Sequence, residues 1–266
     1  MTGGAGLLGK EFCSTLAAAG AQVVVADINQ ISALETAAAL NREWPDPEST
    51  REGVRAIGVP TDVTDVESVR QLVTVTLEKF GRLDILVNSA ALDPKFDPQN
   101  AGSQINSFEE FPLGMWKQAL DINLTGLFLC SQMVSKPMLA QGSGVIINIC
   151  SIYGMVGPDQ RMYEVPGQPK QFKPVYYSVT KAGVLGITRY LATYFAGKNI
   201  RVNALTPGGV FNDHSEHFVK AYSSRAVLGR MAEKHEMNGA LLFLASGASS
   251  YMTGANLVVD GGWTAW

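Results

Sequence analysis

Short apolar runs alternate with longer amphipathic stretches along almost the whole of this chain. Residues 22–27, 54–60, 83–88, 144–150, 200–205 and 256–259 are short, β-branched and nearly continuous in apolar character, as parallel strands buried on both faces should be. Between them, residues 7–19, 31–42, 66–80, 115–139, 175–196 and 233–245 carry apolar side chains at helical spacing. This alternation predicts an α/β fold, a doubly wound, Rossmann-like parallel sheet with right-handed crossovers. No repeat, low-complexity tract or linker interrupts the series, so residues 1–266 are expected to form a single domain.

One element is missing from the pattern. The run Thr2-Gly3-Gly4-Ala5-Gly6-Leu7-Leu8-Gly9 opens the first helix, and a glycine turn of this kind should follow a buried strand, yet only Met1 and Thr2 precede it. Four or five buried aliphatic side chains at about 1.5–3 kcal/mol each put the absent strand at roughly 10 kcal/mol, comparable with the stability of a whole domain. The first central strand is therefore expected to be absent from this chain, and the domain to be truncated at its N-terminus.

Composition narrows the partners. The chain is 46% hydrophobic with a formal charge of −3 and no basic run, which argues against nucleic acid or an anionic membrane and for a small molecule. No apolar stretch approaches the length of a bilayer span, and no charged leader precedes an apolar segment, so the expected compartment is the cytoplasm. Cys13, Cys130 and Cys150 lie in apolar settings without paired spacing and read as buried thiols. His214 and His217 have no carboxylate or cysteine at ligand spacing, so no metal site is expected.

The chemistry concentrates in Tyr177-Ser178-Val179-Thr180-Lys181, where helical spacing puts a phenol and an ammonium on one face. A free phenol titrates near pH 10, so a base working at neutral pH needs a downward shift of about 3 units, or roughly 4 kcal/mol. A cation about 4 Å away supplies roughly 4 kcal/mol at an effective dielectric of about 20. Tyr194 and Lys198 repeat the spacing. Pro174 marks the helix entry and Gly197 its end, which places Tyr177 in the first turns and Tyr194, roughly 25 Å on, in the last. Only helix starts face the ligand edge of such a sheet, and that selects Tyr177.

The glycine turn points to a dinucleotide. Gly3, Gly6 and Gly9 stand where a backbone must approach a pyrophosphate closely, and Asp27 ends the next strand at the distance where a carboxylate takes ribose hydroxyls. That carboxylate would repel a 2′-phosphate, and no arginine or lysine follows it directly or lies inside the turn, so NAD is expected over NADP.

Taken together, these motifs resemble those of the short-chain dehydrogenase/reductase family, single-domain type, over residues 2–262. The turn Thr2 to Gly9, with Gly3, Gly6, Leu8 and Gly9, is similar to the family's cofactor turn. Asp62-Val63 resembles its adenine contact, Asn88-Ser89-Ala90-Ala91 its Asn-Asn-Ala-Gly motif, and Pro207-Gly208, with Val210 close behind, the turn bordering the nicotinamide. Asn123, Ser151, Tyr177 and Lys181 match the catalytic tetrad. The resemblance implies an NAD-dependent oxidoreductase that interconverts a secondary alcohol and a ketone. Tyr177 would exchange the hydroxyl proton, Lys181 lower its pKa and hold the nicotinamide ribose, Ser151 orient the substrate oxygen, and Asn123 anchor a water leading to Lys181.

The chain also departs from the family pattern. Leu7 stands where single-domain members usually carry their middle glycine, a spacing closer to the sugar-nucleotide branch, and Asn212 replaces a threonine that holds the carboxamide. An NAD-recycling sugar-nucleotide epimerase or dehydratase, or an inactive NAD-binding module, are the alternatives. Between Ser151 and Tyr177 lies a long loop with Pro158, Pro166, Pro169 and Pro174. Arg161, Lys170 and Lys173 in it, with His214, Lys220 and Arg225, are candidates to meet a phosphate or carboxylate. Residues 161–266 resemble dehydrogenases of bacterial surface-sugar and flagellin-modification pathways, which implies a sugar, polyol or sugar phosphate. The apolar helices 115–139 and 175–196 correspond to faces through which family members pair, so a homotetramer or dimer is expected.

Overall fold

The computed structural model describes residues 1–45, 54–93, 107–164, 167 and 169–266; Pro166 of the long loop lies outside them. Six parallel strands form the sheet: β1 (Val23–Asp27), β2 (Ala56–Pro60), β3 (Ile85–Asn88), β4 (Gly144–Ile149), β5 (Ile200–Pro207) and β6 (Asn256–Val259). β1 pairs with β2, and β3, β4, β5 and β6 pair in that order, every pair parallel. Between the two groups stands Thr2, bridged to Ala26 on one side and Asn88 on the other. Its amide donates to Val87 O at 3.0 Å, while Ala26 donates to Met1 O at 2.9 Å. Met1 and Thr2 thus occupy the position of the strand missing from the hydrophobic pattern.

Eight α-helices cover the sheet among the described residues: α1 (Leu7–Ala18), α2 (Gln30–Glu43), α3 (Val66–Phe80), α4 (Leu113–Leu120), α5 (Gly126–Gln141), α6 (Val175–Tyr194), α7 (Glu216–Ser223) and α8 (Asn238–Ala245). Helix α1 packs with α2 and α8 over Val25, Val87, Ile147 and Leu205 on one face. On the other, α3 and α5 bury Val69, Leu129, Val134 and Met138 against Leu86, Ile146 and Val202. Local chemistry sets the ends. Asn29 caps α2 by accepting from Ser32 N at 3.0 Å, Asp65 caps α3 by accepting from Glu67 N at 2.9 Å, and α3 stops at Gly81 with φ +74°.

Three elements differ from the sequence pattern. The helix expected at 115–139 is interrupted by a π-helical turn, Asp121–Thr125, between α4 and α5. One extra residue in the turn swings Asn123 inward, where its amide is held by tertiary bonds. The segment at 233 begins as a 3₁₀ turn, Lys234–Met237, because Glu233 and Glu236 cap each other's backbone before α8 starts. Helix α7 does not stand out in the pattern, since only eight residues carry it; Ser215 caps it by accepting from Phe218 N at 3.3 Å.

Candidate active site

The C-terminal ends of the strands gather almost every residue singled out from the sequence. Gly3 has φ +61°, and a Cβ there would lie 2.9 Å from Ala90 Cα, so the turn and the segment after β3 approach backbone to backbone. A Cβ on Gly9 would fall 2.1 Å from Gly3 O, which makes glycine obligatory where α1 folds against its own turn. Thr2 Oγ1 ties the two segments together, accepting from Ser89 N at 3.2 Å and Ala90 N at 3.3 Å. Helix α1 starts at Gly6 without a side-chain cap and without an acidic residue in its first turn. Its leading amides are therefore left to an anion.

Asp27 closes this corner. Its Oδ2 accepts from Ala5 N at 3.0 Å and its Oδ1 from Asn29 N at 3.0 Å, so the carboxylate is fixed at the end of β1 while part of it still faces water. Close backbone approach, uncapped amides and a fixed carboxylate fit a dinucleotide, with pyrophosphate at the turn and ribose at Asp27. Gly6 lies on the turn itself. Leu8 and Val210 turn their side chains into the core cluster, leaving only their backbones for a ligand. Asp62 directs its carboxylate to Thr64, at 2.9 Å to N and 2.7 Å to Oγ1, and Val63 is buried where a Cβ on Gly126 of α5 would meet it at 2.6 Å. Asn88 Nδ2 donates to Ser131 Oγ at 3.1 Å and Asn148 Oδ1 at 2.9 Å, and Asn148 donates on to Thr188 at 2.9 Å. Pro207 ends β5, Gly208 N donates to Val259 O at 2.9 Å, and Gly209 N donates to the Tyr222 hydroxyl.

Asn123, Ser151, Tyr177 and Lys181 lie at one end of the sheet, and their electrostatics differ from the expectation. Ser151 leaves β4, accepts from Tyr153 N at 3.2 Å, and lies close enough to the Tyr177 hydroxyl to favour its ionised form. Gly154 brings this loop onto α6, where a Cβ would lie 2.6 Å from Lys181 O. Tyr177 is the third residue of α6 after the Pro174 cap, and Lys181 follows one turn on. Lys181 Nζ lies 5.7 Å from the centre of the Tyr177 ring and donates to Ile149 O at 2.9 Å. Asn123 receives Leu92 N at 2.6 Å and donates to Thr180 Oγ1 at 3.1 Å, so it holds the neighbour of Lys181 rather than Lys181 itself.

The expected depression of the phenol pKa is not what the geometry gives. Burial pushes Tyr177 well above its ordinary value, the Asp93 carboxylate adds to the rise, and the neighbouring Ser151 side chain opposes it. Burial likewise pulls Lys181 below its ordinary value. Desolvation comes first at Tyr177, and the Lys181 ammonium is committed to the Ile149 carbonyl.

Tyr194 ends α6 at the surface, 61% exposed and stacked on Tyr190 with 6.2 Å between ring centres. Of the candidate anion contacts, Arg161 and Arg225 both bind Asp159, and Lys170 binds Glu164. Lys173 instead places Nζ 4.0 Å from the centre of the Tyr177 ring. Its spacing of four residues before Tyr177, mirroring Lys181 four after, was the signal available in the sequence. Thr180 and the Tyr153–Tyr163 hydroxyl pair, 3.1 Å apart, carried no such signal. Among the described residues, no group of three His, Cys, Asp or Glu side chains converges on a metal position, and no helix is long and apolar enough to cross a membrane.

Comparison with known proteins agrees with this geometry. A family model described as enoyl-(acyl carrier protein) reductase matches residues 5–264. A cis-4-hydroxycyclohexanecarboxylate dehydrogenase of Sinomonas cyclohexanicum is 36% identical over 274 residues, covering 100% of this chain and 95% of the relative. Among solved structures, a short-chain type dehydrogenase/reductase from Mycobacterium marinum superposes with a TM-score of 0.81 at 30% identity, covering 99% of this chain and 93% of its own. A gluconate 5-dehydrogenase from Burkholderia cenocepacia in complex with NADP and tartrate gives 0.83 at 28% identity, covering 100% and 94%.

Proposed function

Because this chain belongs to the short-chain dehydrogenase/reductase family of CH–OH oxidoreductases, we propose that it interconverts a secondary alcohol and a ketone on a small polar substrate, with NAD as its nucleotide. The observation that carries the reading is the placement of Tyr177 between the Ser151 side chain and the Lys181 ammonium, 5.7 Å from its ring centre, at the mouth of a dinucleotide-shaped turn. The preference for NAD rests on Asp27, whose charge disfavours a 2′-phosphate. Sugars, polyols, sugar phosphates and hydroxy acids are the substrate classes that fit; the Sinomonas relative is named for a hydroxy acid.

Gly3, Gly6, Gly9, Asp27 and the backbone after β3 and β5 would hold the nucleotide, which would supply the hydride exchange. The chain's own residues manage the proton. Ser151 fixes the substrate oxygen by a hydrogen bond and aims it at Tyr177. For reduction, the protonated Tyr177 phenol donates to that oxygen; for oxidation its phenolate accepts the hydroxyl proton, so charge does not build on oxygen. Lys181 stabilises the phenolate electrostatically, and Asn123 fixes the backbone of Leu92 and the side chain of Thr180 around it. Three buried free thiols suit a cytoplasmic setting. Exposed Phe128 on α5 and Val179, Tyr190 and Tyr194 on α6 suit a homotetramer assembled through these helices.

The test is a screen of polyols, sugars, sugar phosphates and hydroxy acids for NAD reduction, with Tyr177→Phe as control. That variant should bind NAD as before and lose at least about a hundredfold in turnover. Turnover close to that of the unaltered chain would overturn the role given to Tyr177.

A further inference from the structure

Lys173 is a charged group on the reaction centre that the proton chemistry does not use. Gln160 clamps its backbone, accepting from Lys173 N at 2.8 Å and donating to Lys173 O at 3.3 Å. The side chain, 11% exposed, lies against the Tyr177 ring with Nζ 4.0 Å from its centre, nearer than the 5.7 Å of Lys181. Its ion-pair partner is Asp93, at 2.8 Å, whose own side chain is 59% exposed.

An ammonium has three N–H donors. One is spent on Asp93 and the aromatic face attracts the charge, but no further acceptor meets it among the described residues. A nearly buried ammonium served by one water-exposed carboxylate is under-bonded, because such a pair gains little while the burial cost is large. His214 stands in the field of the same ammonium. Its Nδ1 accepts from Asn212 N at 3.1 Å, which leaves Nε2–H as a donor, and its ring stacks on Phe218 with centres 5.0 Å apart. The nearby guanidinium groups of Arg161 and Arg225 are already taken by Asp159. One ammonium and one neutral imidazole donor suit a singly charged carboxylate better than a phosphate dianion.

We propose that Lys173 is the specificity-determining residue of the substrate pocket, and that the molecule reacting at Tyr177 carries a carboxylate which replaces Asp93 on the Lys173 ammonium. This rests on the reading of Tyr177 as the acid–base group and adds the class of substrate, a hydroxy acid or its keto acid. Asp93 then acts as a resident counter-ion, which keeps the ammonium charged and competes with the ligand.

Binding calorimetry in the presence of NADH, which cannot oxidise the hydroxy-acid probes, tests it without turnover. The probes are acid and amide pairs: cyclohexanecarboxylate with cyclohexanecarboxamide, gluconate with gluconamide, and lactate with lactamide. In at least one pair the acid should bind about tenfold tighter than the amide. Lys173→Met should reduce that preference to less than about twofold, Lys173→Arg should keep most of it, and Asp93→Asn should tighten the acid about threefold. Because Lys173→Met and Asp93→Asn act in opposite directions, loss of fold cannot imitate the result. No pair favouring the acid, or a preference that survives Lys173→Met, overturns the proposal. Those outcomes leave the turnover of Tyr177→Phe untouched, so the two readings fail separately.

Discussion

At Tyr177 two effects oppose each other: loss of water around the phenol, which raises its pKa, and the neighbouring Ser151 side chain, which lowers it. Burial comes first, and Asp93 reinforces it. A group held above its ordinary pKa is a proton donor at neutral pH, so the arrangement is set for reduction, while oxidation must wait for the phenolate. Initial rates in both directions test this. Oxidation should climb from about pH 6 to about pH 9, approaching tenfold per unit where the phenolate fraction limits, whereas reduction should stay flat over that range. An oxidation profile level across the same range would contradict it. The buried thiols follow the same physics. Burial pushes Cys13 up to about 11 and Cys130 up to about 12, so all three cysteines should resist alkylation at pH 8 until the protein is denatured. The residue types of the quartet were legible because Tyr177 and Lys181 share one helical face. Their protonation was not, since burial and the Ile149 carbonyl come from the tertiary structure.

The elements turn on small residues and single insertions. Gly9→Ala should cost at least about 2 kcal/mol in urea denaturation, because its Cβ would meet the fixed backbone of Gly3 at 2.1 Å. Gly239→Ala, in α8 with open space around it, should instead stabilise by about 0.5–1 kcal/mol. The π-helical turn offers a second test. Asn123→Ala strips Leu92 N of its 2.6 Å acceptor and should lower stability by about 1–3 kcal/mol, with turnover falling as Thr180 loosens beside Lys181. Strands β1 to β6 and most helix bounds were readable, since period and run length report burial directly. The π-helical turn was not. One extra residue in a long apolar helix leaves the amphipathic stripe almost unchanged, and what fixes it is the distant Leu92 backbone. Lys173 shows a similar limit: its spacing was visible, but α6 begins only after Pro174, which leaves Lys173 outside the helix, so only the fold brings it onto the ring.

At the scale of the molecule, the exposed aromatics of α6 carry the expectation of assembly. Light scattering should give the mass of four chains, and replacing Tyr190 and Tyr194, 65% and 61% exposed, by glutamate should lower it. The alternation of strands and helices announced the sheet, but not that its ladder passes from β1 to β3 through Thr2 alone among the described residues. Asp27 lies on one side of that narrow join and Ser151, Tyr177 and Lys181 on the other. A dinucleotide reaching from Asp27 to Tyr177 would rivet the two together. Saturation at about a hundredfold above Kd should add about 2.7 kcal/mol, and amide exchange should slow first at Ala26 and Thr2, along the join itself.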